Sequence, residues 1–86
     1  MDIHRHVTEL LQAKGIQASY EYPGYIAIAD WAIGTANGKW EMDLMTGEGA
    51  HIHTIDLGIP GSSQDALAIA EAIRICAATA DVLLKR

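Results

Sequence analysis

The chain has one cysteine, two prolines, no phenylalanine, and six lysine or arginine residues against eleven aspartate and glutamate. Each scarcity closes a class of function. A lone Cys76 can form no internal disulfide. It falls in a helical pattern with Ile73, Ala77 and Ala80, where a thiol behaves as a small buried hydrophobe, and nothing beside it supplies the low-pKa surroundings of a reactive one. No apolar run approaches the roughly 20 residues of a membrane span. The opening Met1-Asp2-Ile3-His4-Arg5-His6 lacks the apolar stretch and small-residue cleavage site of a secretory signal, so the expected compartment is the cytoplasm.

The shortage of basic residues is localised. Asp2 and Glu9 are balanced by Arg5 and Lys14 at one end, and Asp65, Glu71 and Asp81 by Arg74, Lys85 and Arg86 at the other. The formal charge of -5 therefore resides in the middle, where Glu21, Asp30, Glu41, Asp43, Glu48 and Asp56 face Lys39 alone. Phosphate affinity comes from lysine and arginine, so this balance argues against direct nucleic-acid binding and for a basic partner. Catalytic signals are missing too. There is no nucleophile with a base at a recognisable spacing and no pair of carboxylates in an apolar setting. Gly58-Ile59-Pro60-Gly61-Ser62-Ser63 precedes a helix but lacks the lysine and spacing of a phosphate loop. No enzymatic activity and no cofactor are expected.

What is present is a compact alternation of elements. Eighty-six residues, half of them hydrophobic, make one soluble domain over 1–86. Asp2 as N-cap, a stripe of Ile3, Val7, Leu10 and Leu11, and Gly15 as a stop predict a first helix. Ser19–Tyr22 reads as either an edge strand or an extended arm, followed by Pro23-Gly24 turn chemistry. From Tyr25 the chain reads as strand, with a parity change near Ala29-Asp30 that suggests a bulge.

Asn37-Gly38 is the strongest hairpin signal, because a type I′ turn needs positive φ at both central positions. It predicts the pairs Ala36–Lys39, Thr35–Trp40, Ile33–Met42 and Trp31–Leu44. Trp31, Ile33, Trp40, Met42 and Leu44 then form the core face, with Ala32, Gly34 and Ala36 across from Asp43, Glu41 and Lys39 on the outer one. A second turn at Gly47-Glu48-Gly49 predicts Leu44 opposite Ile52, and Asp43 opposite His53 on the outer face. Leu57–Gly61 cannot continue a central strand, and Ser62 with Asp65 resembles a capping box opening a second helix that runs to the C-terminus. The expectation is an α+β domain of order α-β-β-β-α, an antiparallel three-stranded meander with both helices on one face.

Three features carry functional readings. His51 and His53 are two apart on a strand, so with Asp43 they could hold a divalent metal or a small molecule, though no fourth ligand is evident. Tyr20, Tyr22 and Tyr25 surround one turn and supply rigid amphipathic contact area for a partner. The wide apolar face of the C-terminal helix, extended by Leu67, Ala70, Ala77 and Leu84, could instead be covered by a second copy of the chain.

The helix, meander, helix order resembles the double-stranded-RNA-binding fold, but Ser63, Gln64 and Asp65 stand where those domains place basic residues. Tyr22-Pro23-Gly24-Tyr25-Ile26, Asn37-Gly38-Lys39-Trp40 and the alanine-rich terminal helix resemble small acidic proteins of phages and mobile elements, anti-CRISPR inhibitors among them. That resemblance implies a non-catalytic inhibitor occupying a basic surface of a larger protein or ribonucleoprotein. The expected contact residues are Tyr20, Tyr22, Tyr25, Asp30, Glu41, Asp43, Glu48 and His53, on a monomer or homodimer.

Overall fold

The computed structural model describes residues 2–22, 24–45 and 51–84. The elements are α1 (Ile3–Ala13), β1 (Ala18–Glu21), β2 (Tyr25–Ile28), β3 (Trp31–Ala36), β4 (Lys39–Met45), β5 (His51–Pro60) and α2 (Ala66–Leu84). The strands form one antiparallel sheet in sequence order. The chain is α+β as expected, but the sheet has five strands. The stretch before Pro23 is a true edge strand. The parity change at Ala29-Asp30 is a hairpin rather than a bulge, since Ile28 pairs with Trp31 across it. Ala29 takes φ 52, a left-handed conformation that an alanine does not advertise in sequence.

α1 is held at both ends. Asp2 Oδ1 accepts the His4 backbone N–H at 3.0 Å. At the other end Gly15 N donates to Gln12 O at 3.0 Å and Ile16 N to Leu11 O at 3.1 Å, a Schellman closure with Gly15 at φ 81. α2 starts later than a Ser62 cap would place it. Asp65 is the capping residue, its Oδ1 accepting from Ala68 N at 3.1 Å while Ser63 Oγ accepts from Asp65 N at 3.2 Å.

The β3–β4 register is the expected one at every pair from Trp31–Leu44 to Ala36–Lys39. Asn37 and Gly38 both have positive φ, 55 and 79. The β4–β5 register is offset by one residue: Leu44 pairs with His53 and Asp43 with Thr54. The Gly47-Glu48-Gly49 turn lies outside the described residues. β5 also continues through Leu57–Pro60, which the sequence reading excluded from a central strand. It does so because β5 is an edge strand, where proline is tolerated, and because Gly58 at φ 72 absorbs an irregularity between the Lys39–Pro60 and Glu41–Asp56 pairs.

Both helices pack on one face of the sheet. α1 lies against β1 and β2, α2 against β5 and against α1. Val7, Leu11, Ile26, Ile33, Trp40, Met42, Ile69 and Ile73 are fully buried between them, and Trp31 is nearly so. The tryptophans are therefore core, and the alternate residues of each strand face away from the helices.

Candidate functional site

The strand pairings assemble the outer face into two rows. One runs Ser19, Ala27, Ala32, Asp43, Thr54, and the other contains Glu21, Tyr25, Gly34, Glu41 and Asp56. Four carboxylates thus share a face with one lysine. Lys39 is already engaged: its Nζ lies 2.9 Å from Asp56 Oδ2, and that carboxylate raises its pKa. Asp56 is held below the usual carboxylate range, first by the Gly58 N–H donating to Oδ1 at 2.8 Å and then by Lys39. Thr54 Oγ1 donates to Asp43 Oδ1 at 2.8 Å, and Ser19 Oγ to Glu21 Oε2 at 2.9 Å.

Glu41 differs from its neighbours. It is 8 % exposed, and no hydrogen bond or ion pair reaches its carboxylate among the described residues. It lines a shallow groove of about 160 Å³ with Tyr25, Asp43 and a floor of Ala32, Gly34 and Ala36. A neighbouring hollow of about 210 Å³ shares Tyr25 and Ala32 and runs to Asp30 and Met45. Tyr25 is the ridge between them. A floor of glycine and alanine on β3 creates the depression, because the side chains that would fill a sheet surface are absent there.

The expected contact residues are divided by the fold. Tyr25, Glu41 and Asp43 meet in the groove, Asp30 sits exposed in the β2–β3 turn, and Tyr22 is 90 % exposed. Glu48 lies outside the described residues. Tyr20 falls on the helix side, since it pairs with buried Ile26, and its hydroxyl donates to Asp2 Oδ2 at 2.5 Å beneath the Arg5 guanidinium. The three tyrosines therefore do not form one patch. Tyr20 closes the fold, while Tyr22 and Tyr25 remain available.

Of the expected metal ligands, Asp43 and His53 are not paired across the strands. The one-residue offset removes His53 from Asp43 and sets it opposite Leu44, where it is exposed. The backbone register is irregular between the Leu44–His53 and Met45–His51 pairs, and the His51 side chain lies outside the described residues. Among the described residues no group of three histidine, cysteine, aspartate or glutamate side chains could hold a metal ion. Sequence reasoning also missed Glu21, Thr54 and Asp56 as members of the outer face. Only the extra β1–β2 hairpin and the corrected register bring them there.

On α2, Ile69, Ala70 and Ile73 are buried, whereas Leu67 and Ile75 are 69 % and 50 % exposed. Cys76 is a free, partly buried thiol packed against the core. No described helix is long and apolar enough to cross a membrane. Comparison of the chain with protein-family models, with curated proteins and with solved structures finds no match.

Proposed function

We propose that the protein is a non-catalytic binding module whose outer sheet face occupies a basic surface of a larger protein or ribonucleoprotein. The supporting observation is the placement of Glu21, Glu41, Asp43 and Asp56 on the face that the helices leave uncovered, with its one lysine already paired to Asp56. Such a face attracts and orients a cationic surface at long range, and Tyr22 and Tyr25 at its end supply the apolar anchor that charge alone does not. Direct binding to nucleic acid runs against the same charges. Masking a basic nucleic-acid-binding surface on an effector complex, as an inhibitor of the anti-CRISPR kind does, is the role that suits a small acidic domain of this form.

The test is affinity capture with the wild-type chain beside an Asp43→Lys, Asp56→Lys double variant, at low and at high salt. The wild type is expected to retain a basic partner, losing it as ionic strength rises, and the variant to retain none. Equal capture by both would remove the sheet face from the function.

A further inference from the structure

The outward side of α2 is apolar where a surface helix is ordinarily polar. Between Ala66 and Thr79 the sequence has two charged residues, Glu71 and Arg74, and they bind each other, Arg74 Nε donating to Glu71 Oε2 at 3.1 Å. Leu67 and Ile75 are 69 % and 50 % exposed, and Ala68, Ala78 and Thr79 are exposed beside them. A groove of about 380 Å³ opens along the same helix, lined by Arg74, Ala77 and Ala78 of α2 together with Ile16, Ile28 and Trp31. An exposed leucine and an open apolar groove thus stand about three turns apart on one helix.

The order of residues along this strip identifies what covers it. Leu67, Glu71, Arg74 and Ala78 follow one another at intervals of four, three and four residues, which puts them in one line on the helix. Read in reverse, that line is its own complement. Laid antiparallel on a second copy, with a two-fold axis crossing at the level of Ala72 and Ile73, Leu67 meets Ala78 and Glu71 meets Arg74, each twice. Large side chain meets small and acid meets base, as a self-complementary two-fold contact requires. Ala78 borders the groove, so the leucine of the second copy enters it beside Arg74, while Ile75 lies near the alanine at position 68 of that copy. The ion pair within the helix is no obstacle: both side chains are nearly half exposed, and a guanidinium has five N–H donors to share. We propose that α2 joins two copies of this chain in an antiparallel dimer, Leu67 of each filling the groove beside Ala78 of the other. The carboxylate-bearing face lies on the opposite side of the sheet, so this contact is independent of it, and the dimer presents that face twice.

Sedimentation equilibrium at a series of concentrations tests the dimer. The strip is about 17 Å long and covers less than the roughly 800 Å² per partner of a stable complex, so the wild type should pass reversibly from monomer to dimer between about 1 µM and 1 mM. Glu71→Arg and Arg74→Glu are each expected to stay monomeric over that range, because four like charges then meet at the axis. Mixed in equal amounts, the two variants should recover a dimer, since every acid of one chain then faces a base of the other. The pair within each helix stays broken in that mixture, so a purely internal role for Glu71 and Arg74 gives no such recovery. Leu67→Ala keeps every charge and empties the groove, and should raise the dissociation constant about tenfold or more. Circular dichroism of each variant checks its fold; if a charge variant does not fold, the wild type and Leu67→Ala decide the matter. A wild type that is monomeric throughout, charge variants that dimerise as it does, folded variants whose mixture stays monomeric, or a Leu67→Ala dimer of unchanged strength would each overturn the proposal.

Discussion

Asp2 gathers three interactions at the start of the chain. Its Oδ1 caps α1 through the His4 N–H and lies 3.2 Å from His4 Nδ1, while its Oδ2 accepts the Tyr20 hydroxyl at 2.5 Å. The Tyr20 hydrogen bond is the largest cause holding the Asp2 carboxyl below its ordinary value of 3.8, with the His4 N–H adding to it and partial desolvation opposing it. A carboxyl whose pKa is lower in the folded chain than in the unfolded one stabilises the fold above the unfolded value and loses that contribution as pH falls through the folded one. Asp2→Asn is therefore expected to lower the thermal midpoint at pH 6, with the gap from wild type closing as pH drops below 3.8. Thermal melts from pH 2 to pH 6 check it, and a gap independent of pH would show that the carboxylate charge is not what matters. The same bond raises the Tyr20 pKa above 10.0, so deprotonating the tyrosine in alkali should weaken the contact from the other side. None of this was visible in the spacing of Asp2 and Tyr20, eighteen residues apart. The sequence marks Asp2 as a cap and Tyr20 as a partner-facing aromatic, and only the packing of α1 on β1 reveals that the two residues serve each other.

At the scale of elements, legibility followed the strength of local chemistry. Asn37-Gly38 imposes positive φ at two successive residues, so the β3–β4 register could be read pair by pair. Ala29-Asp30 turns the chain with no glycine or asparagine at the strained position, and the turn is stabilised from a distance by Met45 N donating to Asp30 O at 2.9 Å. That is a tertiary cause, absent from any short window of sequence. The candidate site inherits the difference: the juxtaposition of Glu41 and Gly34 was readable, whereas Tyr25 joins them only through the hidden hairpin. The start of α2 is a similar case, since Ser62 and Asp65 both offer capping chemistry and local sequence does not rank them. With Asp65 Oδ1 accepting from Ala68 N, Asp65→Ala should cost about 1 kcal/mol of unfolding free energy and Ser62→Ala much less. Denaturant unfolding of the two variants measures this directly, and the reverse order would restore the capping box.

The whole molecule is a sheet with one face given to helices and two open edges, and an open edge invites pairing with another chain. β5 is blunted by Gly58 and Pro60, which disturb its hydrogen-bonding line where it would otherwise be straight. β1 has only four residues, and its protection comes from α1: Gln12 Nε2 donates to the Ala18 carbonyl at 2.8 Å. A helix side chain thus occupies a backbone acceptor of the edge strand, linking the packing of α1 to the solubility of the sheet. Gln12→Ala removes this donor and leaves α1's apolar stripe intact, so the helix should persist while the edge is uncovered. The expected cost is about 1 kcal/mol in unfolding free energy. The second consequence is faster aggregation, greatest near pH 5.1, where the net charge that keeps copies apart approaches zero. Light scattering over time at pH 5 and pH 7.5, beside the unfolding curve, separates the effects: lost stability without faster aggregation would mean that Gln12 only fastens α1 to the sheet, and aggregation raised at pH 5 in the folded variant would mean that it guards the edge.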